Sequence, residues 1–251
     1  MVSGLNLALV HAKYGLLETV RVPIAVIGTV VFPTLAFCLF VLPQRVVISN
    51  SAFATQAIAS MIVFAFMSAG LFSVGLDLAD QRSKPWAPYL RALPGAPGAR
   101  IAGLVLATVV AAIVAMLPLL VVGALFTEAR PALPDVLLAI VFVIVTAVPS
   151  MLIGVIIGTT TGPKAAIAIT QVAMFLLAFG GGLFLPPIMF PGWLDAVSKV
   201  LPVRQAREIV VNAATGTQIP LWAVSGILAW ILALGALAIW LYRRDQGRRY
   251  R

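Results

Sequence analysis

The sequence predicts an all-α polytopic membrane protein, and three observations carry that expectation. Hydrophobic residues fill 62% of the 251 positions and charged residues only 10%, whereas a soluble domain needs about a quarter charged residues to cover its surface. Apolar runs recur that are long enough to cross a bilayer, because a spanning helix needs roughly 20 mostly apolar residues for a hydrocarbon core about 30 Å thick. The charges, seventeen Lys and Arg against eight Asp and Glu, sit in short clusters between those runs. Lipid head groups are their expected counter-ions, and no nucleic acid is expected as a partner.

The first element is an interfacial helix over 3–21. In LNLALVHAKYGLLETV, Leu5, Leu9, Ala12, Leu16 and Val20 share one side of a helical wheel, with His11 and Glu18 opposite. That pattern suits a helix lying at the inner membrane surface. His11, the one histidine, reads as a polar-face residue, with a ligand or proton-relay role as the alternative. Six spans are expected to follow, at about 22–42, 52–75, 101–126, 134–158, 165–185 and 221–242. Pro33, Pro118 and Pro149 lie inside them, where neighbouring helices satisfy the freed carbonyls, so kinks are expected there. The first run is too long for a signal h-region and no small-residue cleavage site follows, so it is expected to remain as an anchor. Cys38 is the lone cysteine and has no disulfide partner in the chain.

Orientation follows from the bias of Lys and Arg toward the cytoplasmic side. With both termini inside, only Arg45, Arg130, Lys199, Arg204 and Arg207 of the seventeen basic residues fall outside. Two connecting segments look shaped. The inner loop over 78–100 is fenced by Pro85, Pro88, Pro94 and Pro97. Pro88 can open and Pro94 close a short helix with Tyr89, Leu90 and Leu93 on one side and Arg91 on another. It reads either as a solvated loop folded on the bilayer or as a docking element. The outer segment over 186–212 begins at Pro186, Pro187 and Pro191 and turns at Gly192. Beyond it Trp193, Leu194, Val197, Val200 and Leu201 form an apolar stripe, with Asp195 and Lys199 on the other face. After Pro202, Val203, Ala206 and Val210 oppose Arg204 and Glu208. These helices are too short to span and too apolar for a free loop, so they are expected to lie in the outer interface or dip into the membrane.

Several chemistries find no support. No G-x-x-x-x-G-K-[ST] stretch is present to cradle ATP phosphates, no Cys or His cluster offers a metal site, and no nucleophile-base pair is apparent. Ionisable groups avoid the middle of every predicted span, Asp77 and Asp80 coming closest at the inner end of the second. Thr34, Gln56, Ser60, Thr108, Thr146, Ser150, Thr170 and Gln171 lie deeper and suit helix–helix hydrogen bonds or a weakly polar path. Gly154, Gly158 and Gly162 fall four apart, a ridge of small residues for close helix packing.

The chain resembles the membrane subunit of an ABC-2 type transporter, the permease family that includes drug, antibiotic and polysaccharide exporters. ADQRSKPWAPYLRALPGAPGAR is similar to the family's first inner loop, with Asp80, Arg82, Tyr89, Leu90, Arg91, Leu93 and Pro94 at matching places and Asp80-Gln81-Arg82 standing for the usual Glu-Arg pair. GGGLFLPPIMFPGWLDAVSKVLP is similar to the family's outer pattern, which Pro186, Pro187, Met189, Pro191, Trp193 and Leu194 match. The resemblance implies one transmembrane domain over 1–251 in a bacterial cytoplasmic membrane. It also implies a separate ABC ATPase subunit that binds ATP and magnesium, and a coupling helix at Tyr89 to Leu93 that docks in it. The outer helices become an extracellular gate, and a second permease chain, identical or sister, completes the unit. No cofactor or metal is expected in this chain, and it is not expected to be an enzyme. The expected activity is outward movement of an amphipathic drug, lipid or glycan-type substrate, for which Phe64, Phe66, Phe72, Phe142, Phe175 and Phe179 are possible wall residues. An ion- or proton-coupled carrier and a non-transport membrane assembly protein stand as alternatives.

Overall fold

A computed structural model describes residues 4–21, 31–85 and 97–247. Its regular elements are all helical: α1 (Gly4–Arg21), α2 (Phe32–Phe40), the single turn α3 (Arg45–Ile48), α4 (Ser51–Ser83), α5 (Pro97–Phe126), α6 (Leu133–Thr160), α7 (Pro163–Gly180), α8 (Gly192–Val200), α9 (Pro202–Ala214) and α10 (Leu221–Gly247). Among the described residues five helices, α4 to α7 and α10, are long and apolar enough to cross a membrane. The expected first span lies partly outside the described residues, which hold its second half as α2.

Local chemistry sets several boundaries. Asn50 caps α4, its side chain accepting from the Ala52 and Phe53 amides at 3.0 and 3.1 Å. The helix then runs past the expected end near Gly75, through a π-helical turn at Gly70–Val74, to Ser83. Residues 78–83, read from sequence as loop, stay helical because Leu78 and Ala79 are buried, Ala79 against Ile157 of α6 and Ala166 of α7. At 1.5 Å per residue, a helix of 33 residues is about 50 Å long and overshoots a hydrocarbon core. On the far side of the loop α5 already begins at Pro97, a residue suited to a first turn. Pro149 breaks α6 at Ala147, whereas α5 continues through Pro118. The fifth expected span stops at Gly180, five residues early, because the next two glycines turn the chain.

The helices meet around α9, which packs against α4, α6 and α10 in one continuous core with Phe37, Phe64, Met67, Leu119 and Ile209. The N-terminal helix lies along α5. Ala8 and Ala12 are buried while Leu9 and Leu17 point outward. Gly103 explains the choice, since a Cβ there would lie 2.5 Å from His11 Cβ and 2.8 Å from the Ala8 carbonyl. Small residues let the two axes approach and turn the leucines away.

Candidate functional site

The site is the elbow of α8 and α9 and the turn that delivers it. Gly182 has φ of 75°, a left-handed conformation that costs a Cβ-bearing residue about 1 kcal/mol or more. Its missing side chain also leaves room for Pro187, whose Cγ would stand 2.7 Å from a Cβ at this position. Phe184 on this turn meets the rings of Phe40, Phe64 and Phe179 at 5.0, 4.8 and 5.2 Å, binding the turn to α2, α4 and α7. A short 3₁₀ turn at Pro187–Met189 leads through Pro191, the residue before α8.

Helix α8 is only partly covered. Leu194 and Leu201 are half-buried, but Trp193 is 70% exposed and Val197, Val200, Ile188 and Met189 also face outward. Most of the expected apolar stripe therefore faces away from the bundle. The inward side carries Ser198, which is buried and donates to the Asp195 carbonyl at 2.8 Å. Two side chains catch the carbonyl end of α8: Gln205 Nε2 donates to Lys199 O at 3.0 Å, and Trp230 Nε1 of α10 donates to Val200 O at 2.8 Å. Gly226 of α10 is the floor under Gln205, for a Cβ there would fall 2.3 Å from Gln205 Nε2.

Helix α9 is buried on both faces, polar side included. Arg204 is 6% and Arg207 5% exposed. Glu208 Oε1 lies 3.0 Å from Arg204 Nε, off the N–H direction, and accepts from Arg207 Nη1 at 3.1 Å. Asp195 Oδ1 is 3.4 Å from Arg204 Nη2, and Asp195 Oδ2 is 2.7 Å from Lys199 Nζ. One carboxylate thus serves two buried guanidinium groups while a second ties α8 to α9. Burial pushes the Arg207 guanidinium down to about 10, so it remains charged at neutral pH and needs Glu208. The hydrogen bond from Lys199 holds the Asp195 carboxyl below its usual range.

The opposite end of the bundle, where α4 and α6 finish, is built differently. Arg82 donates to the carbonyl of Gly158 at 2.9 Å and to that of Thr159, capping the C-terminal end of α6, where a cation is favoured. Asp80 pairs with Lys84 at 2.9 Å, which raises the lysine pKa. Tyr89, Leu90, Arg91, Leu93 and Pro94 lie outside the described residues. Gly154 and Gly158 press on the π-turn of α4: their Cβ atoms would stand 2.6 Å from the Gly70 and Gly75 carbonyl oxygens. Gly162 has open space instead and is not part of that seam. Asp77, read from sequence as lying near a helix end, faces a small pocket of about 30 Å³ with Ser73 of α4, Thr108 of α5 and Gly15 of α1.

The deeper polar groups mostly serve their own helices. Ser60, Thr108 and Thr146 donate to Gln56, Leu104 and Phe142 carbonyls at 2.8, 2.9 and 2.8 Å. Thr170 is fully buried beside Gly75, its hydroxyl without a partner. Phe64 and Phe66 belong to the core, and Phe175 and Phe179 face outward. Among the described residues no group of three His, Cys, Asp or Glu side chains could hold a metal ion. Gln205, Gly226 and Trp230 were not singled out by sequence. The Arg204–Glu208 spacing was visible, but a short amphipathic helix gave no sign that both faces would be covered.

Five helices of this length and apolarity among the described residues, with the α8–α9 elbow set against them, define a multi-pass α-helical membrane protein. The chain is similar to a transport permease of Bacillus subtilis (strain 168), "Putative transport permease YvfS", with 23% identity over 143 residues. The match covers 57% of this chain and 58% of that relative, so the chain spans somewhat more than half the length of the relative it matches. No protein-family model matches the chain. The name of this relative, a transport permease, agrees with the permease resemblance drawn from the sequence.

Proposed function

We propose that the chain is the membrane subunit of an ATP-driven ABC-2 type exporter, with six spans, both termini in the cytoplasm, and the α8–α9 elbow as the outer gate. The observation that carries the reading is α9, a 13-residue helix too short to span yet buried among α4, α6 and α10. Such a wedge suits an exit that must close between transport events. Its proline and glycine borders let α8 and α9 tilt as rigid pieces without unwinding a span. ATP binding and hydrolysis belong to a partner ATPase, because the chain has no P-loop of its own. The segment Tyr89 to Leu93 docks in that ATPase, and α4 and α5, which flank it, carry the movement upward. Arg82 ties the base of α4 to α6, so a push on the loop reaches α6 and through it α9. A second permease chain completes the pathway. Amphipathic drugs, lipids and glycan-type molecules are the substrate classes to try.

Affinity purification of the full chain from its own host's membranes tests the reading. A stoichiometric subunit that hydrolyses ATP is expected; a chain that purifies alone and moves substrate on a proton gradient would overturn it. One observation favours that second reading, the carboxylate of Asp77 beside the hydroxyl-bearing Ser73 and Thr108 in a small, mostly alanine-lined pocket. Asp77→Asn discriminates: it leaves ATP-driven transport running and stops proton-driven transport.

A further inference from the structure

Between α4, α5, α6 and α9 lies an apolar pocket of about 130 Å³ for which the proposed cycle has no use. Its floor is buried and consists of Thr55 and Ala59, Ala139 and Val143, and Val210 and Ala214 of α9. Its mouth is formed by Leu120 and Ala124 of α5 facing Val136 and Ile140 of α6, all half-buried or exposed. Beside the mouth Val121, Leu137 and the 72%-exposed Leu125 continue an outward-facing apolar surface. The one hydroxyl among the lining residues, Thr55 Oγ1, already donates to the Ser51 carbonyl at 2.8 Å, so the pocket asks for no polar guest. A dry apolar cavity of about 150 Å³ takes a benzene-sized guest, so this one has room for several carbons of hydrocarbon.

The rim supplies the remaining clue. Glu128, Arg130 and Asp135 adjoin the lining residues Ala129, Pro131 and Val136 in the chain, and Glu128 and Arg130 are exposed. A cation and two carboxylates within a few residues of the mouth answer a head group that carries a phosphate and an ammonium. Arg130 Nη1 donates to the Ala129 carbonyl at 2.9 Å, which holds the guanidinium beside the lining, and an apolar side chain from a second copy of the protein would fill the pocket without answering the three charges.

We propose that one acyl chain of a zwitterionic phospholipid occupies this pocket, with its head group at Glu128, Arg130 and Asp135 and its chain against Val210 and Ala214. Its placement in the outer leaflet rests on the orientation given above. The lipid then sets the position of α9, because the helix cannot move toward α5 until the acyl chain leaves.

The test uses the full chain in vesicles of phosphatidylethanolamine and phosphatidylglycerol, doped with phosphatidylethanolamine bearing a diazirine in one acyl chain. After illumination, adducts are mapped by peptide mass spectrometry. Labelling of Leu120, Val136 and Ile140 is expected to exceed that of Val114, an exposed α5 residue away from the pocket, several-fold. Ala124→Trp, which plugs the mouth from an exposed position, removes the excess and leaves Val114 labelling unchanged. Phosphatidylglycerol with the same diazirine chain labels the mouth less. Equal labelling of mouth and Val114, an excess that survives Ala124→Trp, chain-to-chain adducts at the mouth, or equal labelling by both head groups would each overturn the proposal. The readout needs neither an ATPase nor transport, so failure here and failure of the exporter reading are separate results.

Discussion

Glu208 is the point at which the proposed gate is most open to attack. Its Oε1 faces Arg204 at 3.0 Å and Arg207 at 3.1 Å, both guanidinium groups being almost fully buried. Glu208→Gln keeps the volume and an accepting oxygen but removes the charge. Arg204 retains Asp195 at 3.4 Å, whereas Arg207 loses its counter-ion. Removing one partner of a buried pair costs about 3–5 kcal/mol, and the retained amide acceptor puts this change near 3. At roughly 2–4 °C per kcal/mol for a chain of this size, the melting point should fall about 6–12 °C. Thermal melts of the purified chain in detergent, followed by size-exclusion of the surviving fraction, measure it. Lys199→Met is the control, since its pair with Asp195 is open to solvent and screened, and its loss should change the melt little. The double change Arg207→Met and Glu208→Met should recover part of the loss, because no lone charge is then buried. A Glu208→Gln melt equal to that of Lys199→Met, or no recovery in the double variant, would refute the reasoning.

Other expectations follow from the same geometry. Gly154→Ala or Gly158→Ala drives a Cβ to 2.6 Å from a carbonyl of α4 and should destabilise by about 1–3 kcal/mol, while Gly162→Ala has room and should change the melt little. Trp230→Phe removes the donor to Val200 O and should loosen α8 by about 1 kcal/mol, read as faster hydrogen exchange over Gly192–Val200. Asp195 titrates below its usual value, so the stability it contributes is present above about pH 4 and is lost as pH falls through the lower folded value. Exchange over α8, corrected for intrinsic rate, should therefore hold steady from neutral pH down to about 5 and accelerate only in stronger acid. For orientation, a cysteine at Ala196, exposed on α8, should react from outside intact cells in a Cys38-free background and one at Ser83 should not. Ser198 is unsuitable for that purpose because it is buried.

What the sequence made legible was whatever depends on composition or on a local pattern. Apolar runs gave α4 to α7 and α10, the four-residue spacing gave the Asp195–Lys199 pair, and Pro149 marked the break in α6. The fit of one element against another was hidden. Leu78 and Ala79 looked like the start of a polar loop because their burial depends on α6 and α7, which are distant in sequence. The helical wheel of α1 suggested a membrane-surface face but no helix partner, because nothing local reveals that Gly103 invites Ala8 and Ala12 to come closer. Arg204 and Glu208 were legible only as the polar side of a short helix, since an amphipathic pattern cannot distinguish a helix on a surface from one enclosed on all sides. Gly226 and Trp230 carried no signal of their own, for each matters only through the single group it meets on the elbow.

The account stands most directly on the link between the inner loop and ATP hydrolysis. The complex purified through the full chain is assayed for ATPase activity with wild-type sequence and with Tyr89→Ala and Leu90→Ala together. Loss of two anchors from a compact interface costs about 2 kcal/mol or more each, so hydrolysis should disappear from the purified material while the permease stays in the membrane at wild-type level. Arg91→Ala, a rim charge, should lose far less. Hydrolysis that purifies equally well with the double variant, or that never accompanies the wild-type chain, would contradict the reading of this protein as an exporter's membrane subunit.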